Sequence, residues 1–199
     1  MTYEILLGLT VFALVSSLTP GPNNLMLMAS GANFGFRRSI PHMLGVSLGF
    51  TLMVLLVGIG LVQIFEAFPV SYTLLKVVSL TYLLYLAWKI ATAAPASNGT
   101  DKSGTPMTFI QAALFQWVNP KAWTMALTAV SVYSPSHSLT AVAFVAGVFG
   151  AINFPCIGIW TTMGQQLQRI LTNPMRLRAF NVSMALLLVG SLYPVLMPQ

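Results

Sequence analysis

Thr19-Pro20-Gly21-Pro22-Asn23-Asn24 lies inside an apolar run that covers residues 5–29. Two prolines around a glycine are a poor sequence for a continuous helix. Each proline lacks a backbone N–H, and its ring clashes with the preceding turn. In water the stretch would read as a turn. In hydrocarbon an exposed turn is too costly, because its polar backbone groups would be unsatisfied. The segment is therefore expected to be an interrupted helix that faces protein or a cavity. Thr19, Asn23 and Asn24 carry side chains that can hydrogen-bond where the backbone cannot. Interrupted helices of this kind form binding sites in secondary transporters. The local pattern fits a packing kink in a membrane helix equally well.

Composition defines the surroundings of this break. Of 199 residues, 56% are hydrophobic and 6% are charged, against about 25% charged in a soluble domain. That inventory cannot supply the charged, mixed surface of a soluble fold. It implies an integral membrane protein with a single transmembrane domain over residues 1–199. The net charge of +6 comes from nine Lys and Arg, most of them between apolar runs. This placement suits membrane orientation rather than a phosphate-binding face, so nucleic acid is not an expected partner. Cys156 is the only cysteine. An intrachain disulfide is excluded, and cysteine-rich metal motifs are absent. The first apolar run has no basic segment before it and exceeds a signal-peptide core, so it is expected to be a retained span.

Hydropathy and punctuation predict an all-α fold with six transmembrane helices, over residues 5–30, 41–65, 70–90, 108–130, 139–163 and 179–194. Phe34-Gly35-Phe36-Arg37-Arg38 makes the first connection and residues 66–69 a tight turn. Residues 91–107 are a polar linker rich in Ala, Ser, Gly, Thr and Pro. Residues 133–138 form a short turn, and residues 165–178 a basic amphipathic or irregular connection. Tyr85, Trp88 and Lys89 read as an interfacial anchor, and Lys76 as a snorkelling lysine. Asn153 and Pro155 fall near the middle of the fifth span. Gly45-Val46-Ser47-Leu48-Gly49 is a small-xxx-small pattern that permits close helix contact, within one chain or between copies. A homo-oligomer is compatible with it.

Charge orients these spans. The first, third and fifth connections carry Arg37 and Arg38, Lys89 and Lys102, and Arg169, Arg176 and Arg178. The second and fourth carry neither Lys nor Arg. The basic connections are expected in the cytoplasm, with both termini periplasmic or extracellular. The linker over residues 93–107 then separates a three-span half over residues 1–92 from a second half over residues 108–199. Each half opens with a span broken by proline beside asparagine: Pro20, Pro22, Asn23 and Asn24 in one, Asn119 and Pro120 in the other. The halves would run in opposite directions, an inverted repeat whose breaks meet near the membrane centre.

Lys121 follows the second break. An ammonium within an apolar stretch is expensive unless paired or hydrated. It either snorkels toward the cytosolic side or faces a watery cavity near a carboxylate or carbonyl group. Glu4, Glu66 and Asp101 all lie near span ends or in a loop, so no carboxylate at the membrane centre offers a proton relay. His42 and His137 are expected at the interfaces. His42, His137, Asp101 and Cys156 are scattered and form no constellation for catalysis, so no enzyme is expected, and no metal site or cofactor. Polar amides and open backbone groups suit a small zwitterion better than an isolated ion.

These motifs carry a family resemblance over nearly the whole chain. Thr19-Pro20-Gly21-Pro22-Asn23, Gly35-Phe36-Arg37, the segment from Gly45 to Gly49, Tyr82 to Lys89, and Asn119-Pro120-Lys121-Ala122 resemble, in this order, the lysine exporter superfamily. Within it the chain resembles the homoserine and threonine resistance branch. Around Ala87-Trp88-Lys89-Ile90-Ala91 it is also similar to the cysteine and O-acetylserine exporter group. The resemblance implies a multi-pass bacterial inner-membrane exporter of an amino acid or close metabolite. It also implies use of the electrochemical gradient, with proton exchange the usual expectation. Pro20, Gly21, Pro22, Asn23, Asn119 and Pro120 match the family's breaks. The expected substrate site adds Asn24 and Lys121 to these six. The expected mechanism is alternating access around the two breaks. A small membrane channel and a non-transport structural or interaction protein are the alternatives.

Overall fold

The computed structural model describes residues 2–61, 63, 67–93, 105–134 and 138–193. Regular structure among them is helical throughout. Helix α1 (Tyr3–Leu18) and α2 (Pro22–Phe34) form an apolar pair bent by 53°. Helix α3 (Phe36–Leu56) runs on into a wider turn, Val57–Leu61. Then come α4 (Pro69–Ala91), α5 (Phe109–Phe115) with a tight 3-10 turn at Gln116–Val118, and α6 (Pro120–Tyr133). The long α7 (Leu139–Leu167) and α8 (Pro174–Gly190) complete the order.

Among the described residues, Phe36–Leu61, Val70–Ala91 and Leu139–Leu167 are each long and apolar enough to cross a bilayer, and the bent α1–α2 pair makes a fourth such unit. The fourth expected span is divided at Asn119 between α5 with its 3-10 turn and α6. The sixth is α8, which begins at Pro174 rather than residue 179. Asn173 caps it, accepting a 2.8 Å bond from the Met175 N–H, and Pro174 takes the first helical position, where its missing N–H costs nothing. The expected connection around Phe34 and Arg38 shrinks to Gly35 alone. This residue has φ 81°, a conformation that glycine reaches freely. Arg37 and Arg38 therefore stand in the first turn of α3, with Arg38 5.4 Å from the Phe34 ring centroid. Glu66, Asp101, Lys102 and His137, with most of the linker, lie outside the described residues.

Leu7, Val11, Leu48, Leu74, Val77 and Leu186 point outward. Apolar side chains on the outer faces and few charges are what a lipid surround demands. Inside, Leu9, Ala13, Phe50, Met53, Ala126, Val145 and Phe149 form the largest core cluster, drawn from α1, α3, α6 and α7. Helices α2 and α7 approach most closely. A Cβ on Gly31 would collide with the Thr161 carbonyl oxygen, and one on Gly164 with that of Met28. Gly45 and Gly49 serve the same end between α3 and α5, meeting Phe109, Ala112 and Ala113 of their own chain. The small-xxx-small pattern is thus used for an internal helix contact.

Helix α3 packs on α5 and, correspondingly, α7 packs on α1. Helix α3 also meets α7, and α4 meets α8. One end of the bundle holds the helix ends that carry Arg37, Arg38 and Lys89. There the Gln165 side chain accepts a 3.1 Å bond from the Phe36 N–H. Asn33 and Asn181 exchange amide bonds of 2.8 and 3.1 Å, and Asn181 also donates to the Ala93 carbonyl at 3.4 Å. These contacts tie α2, α3, α7, α8 and the residue Ala93 that follows α4 together. At the opposite end Gly8 faces Tyr133, and Gly58 faces Val142.

Candidate functional site

The two breaks are in direct contact. At the first, the chain leaves α1 extended through Thr19 and Gly21 and re-enters a helix at Pro22. Pro22 tolerates this position because the first N–H of a helix has no intrahelical partner. The carbonyls freed at the end of α1 find other donors. Asn24 Nδ2 donates to the Ser17 and Thr19 carbonyls at 2.8 Å each. Trp160 Nε1 of α7 donates to the Leu18 carbonyl at 3.2 Å. The Thr19 hydroxyl donates to the Ser16 carbonyl at 2.9 Å. The expensive backbone of a broken membrane helix is therefore paired by side chains.

At the second break Asn119 is extended, and its Oδ1 accepts from the Lys121 N–H at 3.2 Å, capping α6. Its carbonyl accepts from the Ala122 N–H at 3.0 Å. Pro120 opens α6 as Pro22 opens α2. Trp123 Nε1 donates to the Trp117 carbonyl at 2.8 Å, which holds the 3-10 turn against α6.

Two links join the breaks. Asn23 and Gln116 exchange amide bonds of 2.8 and 3.2 Å, and Gln116 Nε2 also donates to the Ala112 carbonyl at 2.8 Å. Lys121 Nζ donates to the Thr19 carbonyl at 2.7 Å, the Thr19 hydroxyl at 2.9 Å and the Pro20 carbonyl at 3.3 Å. The ammonium has three hydrogens and three acceptors, at the negative end of the α1 dipole. Of the two expectations for Lys121, the one that placed it near carbonyl groups describes this geometry. The lysine stem lies across Gly21, where a Cβ would stand 2.6 Å from Lys121 Cδ. A larger residue here would push the lysine stem aside.

Between the breaks is a small cavity of about 20 Å³. Its walls include Ser16, Ser17, Gly21, Asn23, Asn24, Asn119, Lys121 and Asn153, closed by Phe50, Met125 and Ile157. That volume holds about one water molecule. Ser17 Oγ and Asn153 Oδ1 are buried on this cavity, and neither has a hydrogen-bond partner in the protein. The α2 N-terminus also adjoins it, with a glycine cap that contributes no side-chain bond. Its first N–H groups have no partner within the helix. The site thus combines backbone donors and an ammonium with an amide oxygen and a hydroxyl.

Of the expected residues, Gly21, Asn23, Asn24, Asn119 and Lys121 line the cavity. Pro20, Pro22 and Pro120 shape the breaks around it. Ser17, Gln116, Asn153 and Trp160 were not assigned to the site from sequence. Gln116 and Asn153 carried a signal, as amides within apolar stretches. His42, expected at an interface, is buried among the helices with neither ring nitrogen paired. The helix begins at Phe36, one and a half turns earlier than expected, so His42 stands in its second turn. Among the described residues, no three His, Cys, Asp or Glu side chains gather as a metal site.

Apolar helices packed around two interrupted spans, whose breaks share a polar cavity, define a multi-pass membrane transport protein. The chain matches the LysE type translocator family over residues 14–191 and belongs to that family. It is 31% identical over 195 residues to the cysteine/O-acetylserine efflux protein of Escherichia coli strain K12, covering 95% of this chain and 96% of the relative. The protein of the same description from Shigella sonnei strain Ss046 matches to the same extent. That from Escherichia coli O139:H28 is 30% identical over the same length. No solved structure matches the chain. The lysine exporter resemblance, including that to the cysteine and O-acetylserine group, is borne out. The family is one of transporters, not enzymes.

Proposed function

We propose that this protein exports a small zwitterionic amino acid or close derivative across a bacterial inner membrane, by alternating access around the two breaks. The observation that carries the reading is the pair of unpartnered groups, Ser17 Oγ and Asn153 Oδ1, on a cavity bounded by both breaks. Asn153 Oδ1 and the Ser17 hydroxyl accept from the substrate ammonium. The α2 N-terminus and Lys121 take its carboxylate, as a helix N-terminus favours an anion. Asn23, Asn24 and Asn119 hold the breaks that present these groups. Pro20, Pro22 and Pro120 keep the breaks open, and Gly21 admits the lysine stem.

A cavity with room for one water does not hold an amino acid, so loading requires the breaks to separate. The Asn23–Gln116 pair and the Lys121 contacts are the bonds that would open. The matched packing of α3 on α5 and of α7 on α1 supports two inverted halves, over residues 1–92 and 108–199, in a six-span arrangement. Arg37, Arg38 and Lys89 at one end support a cytoplasmic position for that end, with both termini outside. Proton exchange supplies the driving force in this reading.

Reconstituted vesicles test it. An imposed proton gradient is expected to drive efflux of labelled amino acid, with competition among cysteine, O-acetylserine, threonine, homoserine, lysine and leucine ranking the substrates. Counterflow and saturation are expected of a carrier; flux that never saturates would mark a channel. A folded protein that moves none of these compounds would sink the exporter assignment.

A further inference from the structure

The lining of the central cavity is of two kinds. Asn23, Asn24, Asn119 and Lys121 give it a polar wall at the breaks. Phe50, Ala122 and Met125 give it an apolar wall that belongs to the largest core cluster. The two ends of a zwitterion have no use for that apolar wall. Among the described residues that line the cavity, Lys121 is the one that carries a charge. No carboxylate stands there to balance a second cation. Glu4 lies in the first turn of α1, at the far end of that helix from the break.

The apolar side chains on the cavity are not equally free. Phe50 is 1% exposed and packs edge-on against Phe149, with ring centroids 5.0 Å apart. Ile157 is 2% exposed and branched at Cβ, which restricts its rotamers. Met125 is the most open of the three at 9%, and its unbranched thioether adapts to the shape of a neighbour. It stands one turn beyond Lys121 on the same face of α6.

We propose that this cavity selects amino acids with a short, uncharged side chain, and that Met125 sets the length it accepts. The proposal rests on the exporter reading and names the substrate class that its site takes. With carboxylate and ammonium at the polar groups, the substrate side chain is left to the apolar wall. Separation of the breaks widens the polar wall, whereas Phe50 and Met125 stay within the core cluster. Phe149 holds Phe50 in place, so a longer side chain gains room by displacing Met125. A charged side chain directed there is buried without a partner. For lysine the Lys121 ammonium adds repulsion, so the site discriminates by an uncompensated charge as well as by size.

Efflux of labelled L-cysteine, L-leucine and L-lysine from vesicles tests this, read as ratios of KM. In wild type the KM for leucine is expected to stand about tenfold above that for cysteine, and the KM for lysine about a hundredfold above it. Met125→Ala is expected to lower the leucine-to-cysteine KM ratio about tenfold and to leave lysine the poorest of the three. Met125→Val trims the wall less and keeps more of the packing, and its ratio is expected to fall about threefold. A merely structural role would shift both KM values together and leave their ratio alone. A ratio within about 1.5-fold of wild type in the folded variants therefore overturns the role of Met125. Wild-type lysine flux at the KM of cysteine overturns the selection against charge. Absence of wild-type flux for these and the other amino acids removes the exporter reading instead.

Discussion

The two breaks use the same residue types to different ends. At Asn119 the interruption is one extended residue, and its own side chain caps the helix that follows. At residues 19–21 the interruption is longer. Its asparagine, Asn24, reaches backward to cap the helix that came before. The second break is therefore closed on itself at its helix N-terminus. The first satisfies its carbonyls and leaves the α2 N-terminus without a side-chain cap. The difference separates scaffold from site. Open donors are found where the cap is glycine, and the closed break contributes the lysine that bridges the two.

Lys121→Met strikes the bridge and should have the largest effect. It removes three bonds to the first break, to two carbonyls and a hydroxyl, each contributing about 1 kcal/mol. Transport per folded molecule in vesicles is expected to fall on the order of 100-fold. Retained flux would show that the breaks do not act as a unit. Gly21→Ala pushes on the same bridge from the other side. Displacing the lysine stem is expected to cost about 1–3 kcal/mol in stability and about tenfold in flux, read by thermal unfolding in detergent and by vesicle assay.

Asn153→Leu separates the two roles most sharply. Its amide oxygen has no partner to lose, so the unfolding midpoint should hold or rise. The substrate KM should increase about tenfold. A lowered midpoint with an unchanged KM would make Asn153 a structural residue. Asn119→Ala is expected to do the least. Loss of one N-cap costs about 1 kcal/mol, a shift of a few degrees in midpoint with flux nearly intact.

Much of this arrangement is legible in the chain. Pro20, Pro22 and Pro120 sit in apolar runs where helices must break, and each break appears at the expected residues. The lack of charge dictates helices with apolar outer faces. Legibility fails where a residue's partner is remote in sequence. Gln116 is 93 positions from Asn23, and Trp160 is 142 from Leu18. No local pattern announces either pair. The burial of His42 is equally silent in the local sequence, because it depends on which helices pack around α3.

Hydropathy, proline geometry and charge establish that the chain is apolar and helical, that two of its apolar runs are interrupted, and that basic residues alternate between connections. Those properties are local, because each acts over a few residues. Packing of distant segments brings the interruptions into contact, holds Lys121 on the carbonyls of the other break, and leaves Ser17 Oγ and Asn153 Oδ1 without partners. These facts depend on which backbone groups meet across the bundle. Burial makes them matter, because a polar group deprived of water must pair within the protein or wait for a ligand.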